Sequence, residues 1–210
     1  MAAHAALQVA IEKAAWDDPA AILTRVDALM RETLPDDGGR GAPATSMDLG
    51  LMLVDRVAGQ VVFSGARIDL FWSEPGSCSR VSGARRGMND RRRGVFFNTV
   101  VKTAPGRSFL LTTDGLLDQT GGDRGFGFGA KGFQDWAAKT AELSPEYRMT
   151  SLQVAFDAHR GERRQLDDQD TQDAARLVAA VVIVGIIVVD VVNARRPRTG
   201  RRASRGATRP

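Results

Sequence analysis

The chain has 210 residues, 43% hydrophobic and 26% charged, the make-up of one globular domain with room for a core. One cysteine and two histidines exclude an intrachain disulfide and leave little for a Cys/His zinc site, so a reducing, cytoplasmic setting is expected. The net charge of +4 misleads: Asn193 to Pro210 holds seven arginines and no acid, and the rest of the chain is net negative, which argues against a nucleic-acid-binding fold.

Residues 2–16 are alanine-rich, carry Leu7, Ile11 and Ala14 on one face, and predict a helix. The stretch "DDPAAILTRVDALMRETL" predicts a clearer one, capped by Asp18 and opened by Pro19. Its inward stripe reads Ile22, Val26, Leu29, Met30 and Thr33. "PDDGGRGAPAT" is a loop. "MDLGLMLVD" and "QVVFSG" flank "RVAG" and read as a hairpin. "IDLFWS", "GVFFNTVV" and "SFLLTT" are three further strands. "KGFQDWAAKTAEL" is helical. "SPEYRMTSLQVAFDAHRG" is a second helix, with Ser144 as cap, Pro145 at its first position, and Leu152, Ala155, Phe156 and His159 on one face. The order of helices, antiparallel strands, then helices describes a layered α+β fold.

The apolar run Leu177–Val192 is uncharged for 13 residues before Asp190. A membrane span needs about 20 residues, and Val/Ile density favours a buried terminal strand. Membrane association is the less favoured reading; there the arginines beyond the run would anchor to anionic lipid. Composition predicts disorder for the tail, residues 193–210.

Asp114 stands where the strand "FLLTT" meets a glycine. A carboxylate there is either a turn residue or a ligand for a hard cation such as Mg²⁺ or Mn²⁺. Asp167, Asp168 and Asp170 form a second acidic group, either a solvated loop or part of a cation site. Residues 79–94 hold six arginines and one aspartate. They read as a solvated loop or hairpin edge, or as a grip for a phosphorylated partner, because guanidinium binds phosphate bidentately. "GGDRGFGFGAKG" has six glycines in 12 residues but no phosphate-loop ending. It reads as a plain loop or a flap anchored by Phe126 and Phe128. His4 and His159 read as ordinary helix residues, and Ser108 has no histidine at a nucleophile's spacing.

Taken in order, "MDLGLMLVD", "VVFSGARIDLFW", "FLLTTDGLLDQTGG" and "RRQLDDQ" resemble the PPM (phosphatase-2C-like) protein phosphatases, in the bacterial SpoIIE-like branch. The resemblance implies an α-β-β-α sandwich over residues 1–192. It implies a metal-dependent serine/threonine phosphatase using two Mn²⁺ or Mg²⁺ ions. The substrate would be a phosphorylated signalling protein, such as an anti-sigma-factor antagonist. Asp114 and Asp167 would be metal ligands, with Asp168 taking the place of Asp167 if the register slips by one. Asp118 would orient a metal-bound water, or cap the next short helix. Arg85, Arg86, Arg91 and Arg92 would hold the substrate phosphate.

The family pattern also has an upstream acid and an Asp-Gly-His-Gly-type segment, and this sequence has neither. The expectation is a domain incomplete at its N-terminus, from a truncated or split gene, with the missing segment encoded upstream of Met1. A chain so reduced would be a weak or inactive enzyme. The alternative is a non-catalytic phosphoprotein-binding module.

Overall fold

The computed structural model describes residues 2–13, 17–33, 46–91, 94–122 and 125–163. Expectations for residues 164–210, among them the apolar run and the arginine-rich tail, lie outside the described residues. Helices α1 (Ala2–Lys13) and α2 (Pro19–Thr33) open the chain. Asp18 caps α2 as predicted, its Oδ1 accepting from the Ala21 N–H at 3.0 Å. The buried face of α2 is Pro19, Ile22, Leu23, Val26, Asp27 and Met30. That face is centred one residue away from the predicted stripe, so Leu29 lies at its border and Thr33 is exposed.

Strands β1 (Leu49–Asp55) and β2 (Gln60–Ala66) form the predicted hairpin, with Leu49 opposite Ala66 and Asp55 opposite Gln60. A second hairpin joins β3 (Asp69–Glu74) to β4 (Ser77–Val81). Strand β4 falls partly in the stretch read as a solvated loop or hairpin edge, and a hairpin edge is what Ser79–Val81 form. It is an outer strand with three of its five residues exposed, so it lacks an apolar alternation. The predicted strand "GVFFNTVV" pairs only at its end, as β5 (Thr99–Lys102). Strand β6 (Ser108–Thr112) follows.

The strands make two antiparallel sheets, ordered β1-β2-β5 and β4-β3-β6. The chain changes sheet between β2 and β3. Period-two alternation then sorts the side chains into three layers. Leu49 and Leu51 of β1 face Leu23, Val26 and Met30 of α2. Met52 of β1, Val61 and Phe63 of β2, Leu70 of β3 and Leu111 of β6 pack between the sheets. Phe71 of β3 faces the other way, onto the second helical layer. That layer holds α3 (Asp114–Asp118), α4 (Gly129–Lys139) and α5 (Pro145–Arg160). Phe71 meets Phe133 edge-on at 4.8 Å between ring centroids. The α-β-β-α sandwich is therefore observed.

Ser144 caps α5, its Oγ accepting from the Tyr147 N–H at 3.5 Å. The glycine-rich stretch forms a small hairpin of β7 (Thr120–Gly121) and β8 (Phe126–Gly127). Phe128 packs edge-on to His159, whereas Phe126 is 69% exposed. Of the two predicted anchors only Phe128 acts as one. His159 does more than fill a helix face: its Nε2 lies 3.1 Å from the Phe126 carbonyl oxygen and 3.2 Å from that of Gln119, holding this hairpin to α5.

A buried polar hub ties α2 to the segment after β4. Asp27 accepts from Arg31 Nε at 3.1 Å, Arg86 Nη1 at 2.9 Å and the Asn89 N–H at 2.7 Å. Burial raises the Asp27 pKa, but these three donors outweigh it and hold the carboxyl below the usual carboxylate range. A lowered folded-state pKa means that the stabilisation is present above the unfolded value, about 3.9, and is lost as pH falls through the folded one. Asp27→Ala should cost roughly 3–5 kcal/mol, because it leaves Arg86 buried without its partner. Urea unfolding at pH 7 would measure this. Repeated at falling pH below about 4, it should show the gap between the two proteins narrowing.

The change of sheet depends on a second constraint. A Cβ on Gly65 would sit 2.1 Å from the Ile68 carbonyl oxygen and 2.7 Å from the Phe63 ring. Gly65→Ala should therefore destabilise the fold by about 1–3 kcal/mol or more. An unchanged thermal midpoint would contradict that account of the turn.

Candidate functional site at the rim of the sandwich

Strand register brings distant segments to one end of the sandwich. Leu49 opposes Ala66, and Asp69 opposes Thr112. Asp48, Arg67 and Asp114 lie one or two residues beyond these pairs, so they share a rim. Arg67 is held at φ 56°, a left-handed conformation uncommon for a side chain of this size. Its N–H donates to the Ala84 carbonyl at 2.9 Å, and the Ala84 N–H donates to the Gly65 carbonyl at 2.7 Å. Arg67 Nε donates to Asp48 Oδ1 at 2.6 Å and Nη2 to Ser46 Oγ at 2.9 Å. A Cβ on Gly87 would come within 3.0 Å of the Arg67 guanidinium, so that glycine leaves room for it.

Asp114 is exposed and begins α3 directly after β6. Among the described residues it makes no hydrogen bond or ion pair. Its backbone is set by the strand end, and its carboxylate faces solvent. Asp48 is a rim carboxylate that sequence reasoning missed. Burial pushes its pKa up, and the charges of Asp114 and Asp90 push the same way against the Arg67 ion pair. The signal was available: an acid directly ahead of an apolar strand is costly to bury and calls for a reason.

The other predicted residues are dispersed. Asp118 is exposed at the C-terminal end of α3, and two short strands follow it, so it caps no following helix. Arg85 and Arg91 are exposed. Arg86 is buried, bound to Asp27, with its guanidinium 4.0 Å above the Phe96 ring. Asp167, Asp168 and Arg92 lie outside the described residues. Burial pushes the Cys78 thiol up to about 11, against the opposing charge of Arg148, so it stays protonated at neutral pH.

Among the described residues no three His, Cys, Asp or Glu side chains are grouped to hold a metal ion. Asp114 fits one ligand position of a hard-cation site by its chemistry. The described residues alone do not make a two-ion centre. Among them, too, no helix is long and apolar enough to cross a membrane.

No protein-family model matches the chain, and no curated protein sequence matches it. Solved structures do. The SiaA-PP2C domain of Pseudomonas aeruginosa is 40% identical, with a TM-score of 0.72, over 80% of this chain and 65% of that one. The chain thus spans just under two thirds of that domain structure. The phosphatase domain of the cell fate determinant SpoIIE from Bacillus subtilis, from a manganese-presoaked crystal, shares the fold at 12% identity and a TM-score of 0.50. It covers 81% of this chain and 76% of that one. By sequence identity to the first and a fold common to both, this chain is similar to PPM-type, SpoIIE-like phosphatase domains.

Proposed function

We propose that this chain is a metal-dependent serine/threonine phosphatase domain acting on a phosphorylated signalling protein in the cytoplasm. The observation that carries the reading is Asp114. It is an exposed carboxylate with no described partner, at the rim of a sandwich 40% identical to a PP2C domain. Mn²⁺ or Mg²⁺ would bind there with Asp167 or Asp168 as the second protein ligand, and would supply charge neutralisation for phosphoryl transfer. This chain's own residues do the positioning. Strand β6 and the N-terminus of α3 fix Asp114, and the Arg67–Asp48 pair stiffens the adjoining turn. Asp118, on the same short helix, would orient water. Arg85 and Arg91 present positive charge on the segment after β4, where a phosphoserine dianion would be gripped. Arg86 belongs to the same grip only through its anchoring of that segment to Asp27.

One observation favours a second reading, a phosphoprotein-binding module that does not hydrolyse. It is that the described residues bring no three metal-ligating side chains together. The same observation implies slow turnover on the first reading.

A phosphoserine-peptide assay with and without Mn²⁺ separates the two. The phosphatase reading expects slow phosphate release that needs the metal and falls roughly 10–100-fold or more in Asp114→Asn. Tight peptide binding with no release, unchanged in Asp114→Asn, would establish the binding module instead.

A further inference from the structure

Among the described residues, Arg67 and Asn89 are the non-glycine residues with a positive φ. A glycine would take the φ of 56° at position 67 without strain. The sequence places a cationic side chain there instead. Strain of this kind gathers where a side chain is needed in a set place.

Among the described residues the guanidinium of Arg67 is held along one edge. Asp48 Oδ1 accepts from Nε at 2.6 Å and lies 2.6 Å from Nη2, which also donates to Ser46 Oγ at 2.9 Å. Gly87 closes against the same two nitrogens: a Cβ there would stand 3.0 Å from Nη2 and 3.1 Å from Nε. The N–H groups of Nη1 have no partner among the described residues, and Arg67 is exposed. The fork is thus oriented in advance, with donors left over. Such a fork suits an oxyanion, above all a phosphate oxygen.

Charge decides what else the anion needs. The charges of Asp90 and Asp114 both act on Asp48, so three carboxylates share the field of Arg67. A phosphate alone would meet repulsion from them. A divalent cation at Asp114 reverses the local sign. We propose that Arg67 binds the substrate's phosphoryl group through Nη1, together with a divalent cation held by Asp114. The inference rests on the metal-dependent reading above. It sets Arg67 apart from Arg85 and Arg91, which lie on the segment that the Arg67 N–H holds through the Ala84 carbonyl at 2.9 Å. Those two supply charge around the phosphate, and Arg67 supplies a fixed contact to it.

Calorimetric titrations of the full chain separate this contact from the metal. One titrates Mn²⁺ alone. At saturating Mn²⁺, a second titrates a peptide bearing a non-hydrolysable phosphonate in place of phosphoserine, and a third titrates inorganic phosphate. Arg67→Gly suits the left-handed backbone and removes the side chain. It should bind Mn²⁺ as the unaltered chain does and bind both phosphorus probes about tenfold or more weakly. If Arg67→Gly does not fold, Arg67→Gln, which can still donate to Asp48, carries the same comparison. Mn²⁺ and probe affinities that are all unchanged would overturn the proposal and leave the metal reading standing. Loss of Mn²⁺ binding in the same variant would overturn it as well, making Arg67 a support of the metal site. Loss of the peptide with inorganic phosphate still bound would overturn it by placing Arg67 against the peptide chain. Mn²⁺ binding that is absent in the unaltered chain, or undiminished in Asp114→Asn, would overturn the metal reading and this inference with it.

Discussion

At Gly65 the chain leaves one sheet for the other, and the Ile68 carbonyl oxygen occupies the space a side chain would need. The crossing takes only Arg67 and Ile68 between the end of β2 and the start of β3. So short a link ties the ends of the two sheets together. It puts the start of β1, the end of β2, the start of β3 and the end of β6 on one rim. Every candidate for chemistry that the structure describes at that rim inherits its position from this turn. The left-handed backbone of Arg67 is part of the same constraint: the strain is held by backbone bonds through Ala84 and by the ion pair to Asp48.

The basic segment after β4 shows how one composition serves two purposes. A run of arginines looks uniform in sequence. In the fold, Arg80 Nε reaches back to Asp69 at 2.6 Å, Arg86 is buried against Asp27 and Phe96, and Arg85 and Arg91 stay at the surface. The buried arginine fastens the segment to α2 and so steadies the exposed ones. Removing Arg86 would therefore loosen the segment that carries Arg85 and Arg91.

Arg148 presents the opposite situation. Among the described residues Arg86 has its carboxylate, whereas Arg148 has a hydroxyl, a carbonyl and an aromatic face but no carboxylate. The two guanidiniums are about equally buried and are satisfied by different chemistry, one by a carboxylate and the other by neutral acceptors and a ring face. A small groove lined by residues of β6 sits beside Arg148.

Local chemistry made much of the fold legible. The Asp18 and Ser144 caps, the β1–β2 hairpin and the strands around Leu70 and Leu111 follow from side-chain oxygens, turn residues and period-two alternation. The same chemistry, ordered along the chain, carried the family resemblance and singled out Asp114. What local pattern could not supply was anything set by partners far away in sequence. Strand β4 exists because β3 offers it hydrogen bonds, not because its own residues alternate. Asp27 lies on the buried face of α2 because Arg86 and Asn89, about sixty residues on, arrive to satisfy it. Asp48 reaches the rim through the register of two hairpins. Sequence alone determined the long helices, the core strands and which carboxylate ends β6; only the tertiary structure decided the outer strand β4 and which charges meet, because burial and pairing depend on register between distant segments.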